Sequence, residues 1–363
     1  MHAVTVVLWF VLGIGLIVLV VDSAVRTFVL PRGATPIVTR ATFIGLRIVF
    51  NTLARGRRSY DGRDSVMALY GPVGLLLLPA IWMLMVISAF TVMFHALGVS
   101  GFERAFEMSG SSLFTLGFVR PPDLPTNILA FAEAATGLGL LGLLIAYLPT
   151  IYTAFSRREV RVSQLEVRAG KPPAGVNVLI RAQQMERFHL LDDFWRTWQE
   201  WFTELEETHT SIGVLSFFRS PVGHRSWVTA SGAVLDAASL RLAAVDLGFD
   251  PEAGILVRSG FFALRAVADY FGISYDPDPH PGDAISITKD EFLEACDQLA
   301  AAGIPVRADR DAAWFDFTGW RVNYDVPLLG LAGFVMVPYA PWSSDRSLRF
   351  RRARLRQGRP RRG

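Results

Sequence analysis

The chain has 363 residues, 51% of them apolar, with 36 basic against 33 acidic side chains and a formal charge of +3. That size and hydropathy accommodate a membrane part plus one soluble domain. The small positive excess sits largely in one C-terminal tail and says little about the fold. Cys296 is the only cysteine, which excludes an internal disulfide, a CxxC redox pair and a Cys-rich zinc site.

Ala3 to Val21 is uncharged and about as long as a bilayer-spanning helix requires. It has no Lys or Arg before it and no convincing small-residue cleavage motif, so it reads as an uncleaved anchor within segment 1–30. Asp22 and Arg26 mark its inner end. Segment 31–64 is crowded with Arg32, Arg40, Arg47, Arg55, Arg57, Arg58 and Arg63, which places it on the cytoplasmic side. Within it, Ile37 to Leu53 suits a helix lying along the inner leaflet; a short connecting helix packed on its neighbours fits as well.

A pore-domain segment, 65–156, follows. Val66 to Val99 is longer than one straight span and holds Pro72 and Pro79, which suggests a kink or an interfacial lead-in. His95 falls near its outer end. Gly101 to Ser112 is short and amphipathic, and Ile128 to Phe155 forms a further apolar stretch. Between the last two lies Ser111-Ser112-Leu113-Phe114-Thr115-Leu116-Gly117-Phe118-Val119. Non-helical backbone at membrane depth is tolerated only where it lines water or is buried in protein.

Thr115-Leu116-Gly117-Phe118 resembles the first four positions of the potassium filter T-V-G-Y-G, whose carbonyls replace the ion's hydration shell. On these residues and the surrounding hydropathy, Val66 to Phe155 is similar to the potassium-channel pore-loop superfamily. The pattern departs at Val119, where the second filter glycine would stand, and at Arg120, where that family usually has Asp. The resemblance implies a homotetramer ringing one axis, with Thr115, Leu116, Gly117, Phe118 and Val119 lining a filter for transported K+ and no other cofactor. Ser111, Ser112 and Glu133 would support the pore. Glu133, the one acid in the final span, lies about 10 Å below its outer boundary, level with the short helix.

Gly137-Leu138-Gly139-Leu140-Leu141-Gly142 matches G-x-G-x-x-G, but it lies inside a continuous apolar helix and not after a strand, so a dinucleotide site is rejected. Gly137, Gly139 and Gly142, with Pro149 below them, suit either a gating hinge or close helix packing. Arg157, Arg158, Arg161 and Arg168 follow the last span. Both arginine-rich flanks agree with an inner-membrane protein whose N-terminus is outside and whose C-terminal domain is cytoplasmic.

From Val160 charges recur at helical spacing, and a domain over 160–342 follows. Gly170-Lys171-Pro172-Pro173 reads as the turn that separates it from the membrane part. Helices are expected at about Gly175–Arg187, Leu191–Glu207, Trp227–Leu247, Glu252–Phe271, Lys289–Ala302 and Asp309–Tyr324. Thr288 with Glu291 is a capping-box signature, and Asp250-Pro251 a helix start. With no alternating strand pattern, the whole chain is expected to be all-α: three spanning helices, a re-entrant pore helix and loop, and an all-α cytosolic domain.

No metal or catalytic residue is expected in that domain. His189 with Asp192 and Asp193, and Glu206, Glu207 with His209, are its His/carboxylate clusters. Glu206 and His209 share a helix face, as in half of a two-metal site that would need a second Glu-x-x-His. A surface cluster, or a buried partner for Arg219 or Arg225, is the favoured reading. Trp195, Trp198, Trp201 and Phe202 form a stripe suited to a helical core or to a membrane interface. Val326 to Trp342 is apolar but interrupted by Pro327, Pro338 and Pro341, and is expected to close the core. The tail, 343–363, carries Arg346, Arg349, Arg351, Arg352, Arg354, Arg356, Arg359, Arg361 and Arg362, which would attract anionic lipid headgroups or lie free in solvent. No motif supports nucleic-acid binding. Besides a tetrameric cation channel, two classes stay open: a non-conducting sensor or scaffold built on a channel fold, and a membrane-tethered enzyme.

Overall fold

The computed structural model describes residues 2–29, 36–57 and 59–346. Arg32, Arg58 and the tail arginines from Arg349 onward lie outside the described residues. Every regular element among the described residues is helical; the single β pairing is one bridge between Val245 and Val306. The chain forms two compact units, Met1–Thr153 and Ala154–Gly363.

The first unit contains α1 (His2–Phe28), α2 (Ile37–Arg55), α3 (Tyr60–Ala68), α4 (Tyr70–Ala96), α5 (Phe102–Leu113) and the start of α6 (Leu124–Ala169). By length and composition, four helical stretches are sufficient to cross a membrane: Val4–Phe28, Ile37–Arg55, Tyr60–Ala96 and Leu124–Ala169. Three coincide with the expected spans; the fourth is α2, expected along the inner leaflet or as a packed connector.

α1 and α4 run antiparallel. Gly13 is pressed against Met93 and the Ala89 carbonyl, while nearer the other end the Trp82 indole N–H donates to Ser23 Oγ at 3.1 Å. A side chain larger than hydrogen at position 13 would stand 2.5 Å from Met93, so the glycine sets how closely the two helices approach. α2 meets α1 near its own start, where the Thr39 hydroxyl bonds to Ser23 (3.0 Å) and Thr27 (2.8 Å). It then follows the N-terminal end of α4: Phe43 packs against Gly74, Tyr70 donates to the Phe43 carbonyl at 3.0 Å, and Phe50 meets the Tyr70 ring edge-on.

α6 is longer than the apolar stretch that announces it. It passes through Pro149 and ends at Ala169, so the division between the units falls inside a helix and not at the turn after Gly170. Val162, Leu165 and Ala169 are core residues of the second unit.

The second unit is built around α9 (Trp227–Ala243), which is buried on all sides. Its run of Ala, Ser and Gly has no amphipathic stripe, as suits a helix enclosed by others. Around it lie α7 (Gly175–Gln184), α8 (Leu191–Ser211), α10 (Pro251–Phe271), α11 (Lys289–Ala301), α12 (Arg310–Arg321) and α13 (Asp325–Val335). Gly175 abuts Ala237 N and the Ala233 carbonyl, a contact that admits no side chain. Trp195, Trp198, Trp201 and Phe202 all lie in this core, which settles their role as packing residues. Cys296 is buried there as a free thiol. The Thr288/Glu291 capping box forms in full, and Asp250 caps α10 by accepting from Ala253 N.

Candidate functional site

The short helix α5 is the part of the first unit that hydropathy alone would not call a span. It has twelve residues, about 18 Å of rise, too few to cross a bilayer. Gly101 starts it at φ 83°, in the left-handed region where glycine is favoured. Ala105, Met108, Ser109 and Leu113 are buried, whereas Phe102, Glu103, Arg104, Phe106 and Glu107 are exposed.

Ser109 ties α5 to both neighbouring helices. Its hydroxyl lies 3.1 Å from the Ile87 carbonyl of α4 and 2.5 Å from Glu133 Oε1 of α6. Glu133 has no exposed surface. Ser109, and neither Ser111 nor Ser112, is thus the serine of α5 that donates to this carboxyl.

Ser111 organises the backbone beyond the helix. Its carbonyl accepts from Leu116 N at 2.8 Å and Gly117 N at 3.4 Å, and its hydroxyl accepts from Val119 N at 3.2 Å. Ser112 Oγ donates back to Met108 O, while its carbonyl accepts from Thr115 N. Three loop amides, those of Leu116, Gly117 and Val119, are thus pinned by Ser111. Thr115 (φ 54°) and Gly117 (φ 72°) both have left-handed backbones, separated by one residue. For the β-branched Thr115 that conformation costs about 1–2 kcal/mol, a strain retained only where surrounding contacts fix it. No atom outside the adjoining residues lies within 4 Å of where a Gly117 Cβ would be, and Phe114, Leu116 and Phe118 are exposed on the single chain.

After Arg120 and two prolines, Asp123 starts α6. Its carboxylate accepts from Thr126 N (3.0 Å) and Thr126 Oγ1 (2.6 Å), which hold it below the ordinary Asp range.

The hinge candidates differ from one another. Gly137 is buried against the end of α5, where a Cβ would lie 2.5 Å from the Leu113 carbonyl oxygen. Gly139 and Gly142 face open space, on a side of α6 shared with Ile128, Phe131, Leu138 and Ile145. Pro149 is exposed and leaves the helix continuous.

In the second unit, the His/carboxylate clusters noted in the sequence form no ligand set. Among the described residues no group of three or more His, Cys, Asp or Glu side chains is placed to hold a metal. A second Glu-x-x-His does occur, at Glu186 to His189, but Glu186 has φ 57° and lies outside a helix. His209 is paired with Arg158, at 3.1 Å, and not with Arg219 or Arg225. Arg219 donates to the carbonyls of Val335 and Met336, and Arg225 to Glu166. Two arrangements escaped sequence reasoning: that Arg158–His209 pair, and Arg321, which donates to Asp236, to Asp325 Oδ1 (2.8 Å) and to the Trp342 carbonyl while fully buried. Arg346, at the start of the tail, is bound to Glu291.

Comparison of the chain with protein-family models, with curated proteins and with solved structures finds no match.

Proposed function

We propose that this chain is the subunit of a homotetrameric cation channel of the inner membrane, with K+ as the first candidate ion. The observation that carries the reading is the loop 114–119. It follows a helix too short to span that Ser109 braces to two long apolar helices, and it turns through two left-handed residues, Thr115 held by Ser112 and Gly117 by Ser111. Carbonyls of Thr115 to Val119 would line the filter, and four copies would close it around an axis. The exposed Phe114, Leu116 and Phe118 then pack against adjacent subunits.

In this reading α1, α4 and α6 cross the membrane and α5 is the re-entrant pore helix. α2 lies at the cytoplasmic face, supported by its course from the C-terminal end of α1 to the N-terminal end of α4. The N-terminus is outside, and the all-α unit is cytoplasmic and regulatory. Gly139 and Gly142 face the water-filled side of α6, and gating motion centres between them and Pro149. Anionic headgroups would gather at the arginine tail.

A second reading, a non-conducting scaffold on the same architecture, is favoured by Val119 and Arg120: a β-branched residue closes the loop, and a cation stands at its mouth. Tracer flux into liposomes carrying the purified chain, K+ against Na+, decides between them. Flux that prefers K+ supports the channel, equal flux keeps the pore without selectivity, and none across varied voltage, pH and ligand supports the scaffold.

A further inference from the structure

Arg158 projects from the C-terminal part of α6 into the core of the second unit, where only 4% of it is exposed. Its guanidinium donates to the Leu215 carbonyl at 2.8 Å and the Phe218 carbonyl at 2.6 Å, faces His209 Nε2 at 3.1 Å, and pairs with Glu159 at 2.9 Å. From α8, the Trp201 indole N–H approaches the Arg158 carbonyl at 3.4 Å. One turn of α6 is thus gripped by α8 and by the segment after it.

Donor counting fixes the protonation state of His209. Its Nδ1 lies 3.0 Å from the Leu205 carbonyl, which only accepts, so Nδ1 carries the hydrogen. Its Nε2 faces a guanidinium, which only donates, so Nε2 must offer a lone pair. The ring is therefore neutral, and the contact exists only in that state. A second proton would set N–H against N–H and bury two cations side by side.

The groups that face the ring are Arg158 from α6, the Leu205 carbonyl and Thr208 hydroxyl of its own helix, and the Trp227 indole of α9 at 4.9 Å. Glu159 reaches this site through Arg158, with which it is paired. Burial, and then the charge of Arg158, hold His209 well below the ordinary histidine range.

We infer that Arg158 and His209 form an acid-releasable joint: protonation of His209 expels Arg158 and frees the last membrane-spanning helix from the helical domain. The effect on conduction rests on the channel reading; the joint itself does not. Neutral at physiological pH, it holds; it opens only below the ordinary histidine value of about 6.5.

The test uses the full chain in liposomes, from about pH 8 to about pH 4, with His209→Gln alongside. Glutamine donates to the Leu205 carbonyl and accepts from Arg158 but does not titrate. Hydrogen exchange, corrected for its intrinsic pH dependence, is followed in segments 154–169 and 205–218 against α9. The expected result is a wild-type loss of protection in those two segments on acidification, about tenfold or more, with α9 still protected and His209→Gln unchanged. Arg158→Gln should lack that protection even at neutral pH. If His209→Gln loses protection at the same pH as wild type, or if wild type stays protected throughout, the joint is overturned. Flux measured in the same vesicles should change at the wild-type midpoint and stay flat in His209→Gln. A pH-independent flux overturns the gating role alone, and absence of flux at every pH overturns the channel reading while the exchange result still decides the joint.

Discussion

Gly137 on α6 lies so close to Leu113, the last residue of α5, that a methyl group on its Cα would stand 2.5 Å from the Leu113 carbonyl oxygen. A contact with backbone cannot be relieved by a rotamer change. Gly137→Ala should displace the end of α5 and destabilise the protein by about 1–3 kcal/mol. Gly45→Ala, in α2 and facing open space, should be neutral or stabilising by up to about 1 kcal/mol. Thermal unfolding of both variants in one detergent gives the comparison; equal melting temperatures would remove the close-approach role of Gly137.

Glu133 and Ser109 form the polar brace behind the loop. Glu133→Ala leaves the Ser109 hydroxyl with the Ile87 carbonyl alone and opens a hole in a buried site, at a cost of about 1–3 kcal/mol. Glu133→Gln keeps a hydrogen-bonding amide there and should recover most of that loss. Thermal stability of the two variants, read together, distinguishes a brace from an incidental contact. Identical losses would argue against it.

Arg321 compensates two buried carboxylates, Asp236 and Asp325, and Tyr324 donates to Asp236 at 2.9 Å. Burial still raises Asp236 to about 6, against the pull of Arg321. Arg321→Met removes the only cation from this cluster among the described residues and should cost about 3–5 kcal/mol, because the acids stay behind unpaired. Denaturant unfolding followed by tryptophan fluorescence measures it, and a loss below about 1 kcal/mol would mean that the cluster is not a keystone of the second unit.

Glu291 carries an acid-stability contribution of its own. Arg346, with help from Thr288, lowers its carboxyl from the ordinary value to about 2. A carboxyl depressed on folding stabilises the protein above its unfolded value and loses that contribution as pH falls toward the folded one. Wild-type stability should therefore decline between about pH 4.5 and pH 2 more steeply than that of Glu291→Gln. Parallel profiles would show that the part-buried Glu291–Arg346 pair contributes little.

Much of this was legible in the sequence because local chemistry wrote it. Thr288 and Glu291 at capping distance start α11, Asp250-Pro251 starts α10, and a short amphipathic run before Ser111 becomes α5. What escaped depends on contacts distant in the chain. α13 went unrecognised because Pro327 near its start reads as an interruption, although a proline in the first turn loses no helical bond. α6 outruns its apolar stretch because a proline on an exposed face need not end a helix, and because the residues after Phe155 bury Arg158, Val162 and Leu165 in a different core. His209 read as part of a surface cluster with Glu206 or as a buried partner of Arg219 or Arg225; it is buried, and its arginine is Arg158, fifty-one residues away. Gly137 matched a hinge and a packing glycine equally well until Leu113 was seen against it.

The most direct measurement compares ion flux through wild type and Gly117→Val in liposomes, at matched incorporation and matched oligomer mass. Gly117 sits at φ 72°, a conformation that valine resists, and has no outside atom within 4 Å of its Cβ position, so the change should distort the loop without disturbing the fold. Cation flux in the wild type that disappears in Gly117→Val of the same oligomer mass is the predicted result. Undiminished flux in Gly117→Val would contradict the assignment of residues 115–119 as the path of the ion.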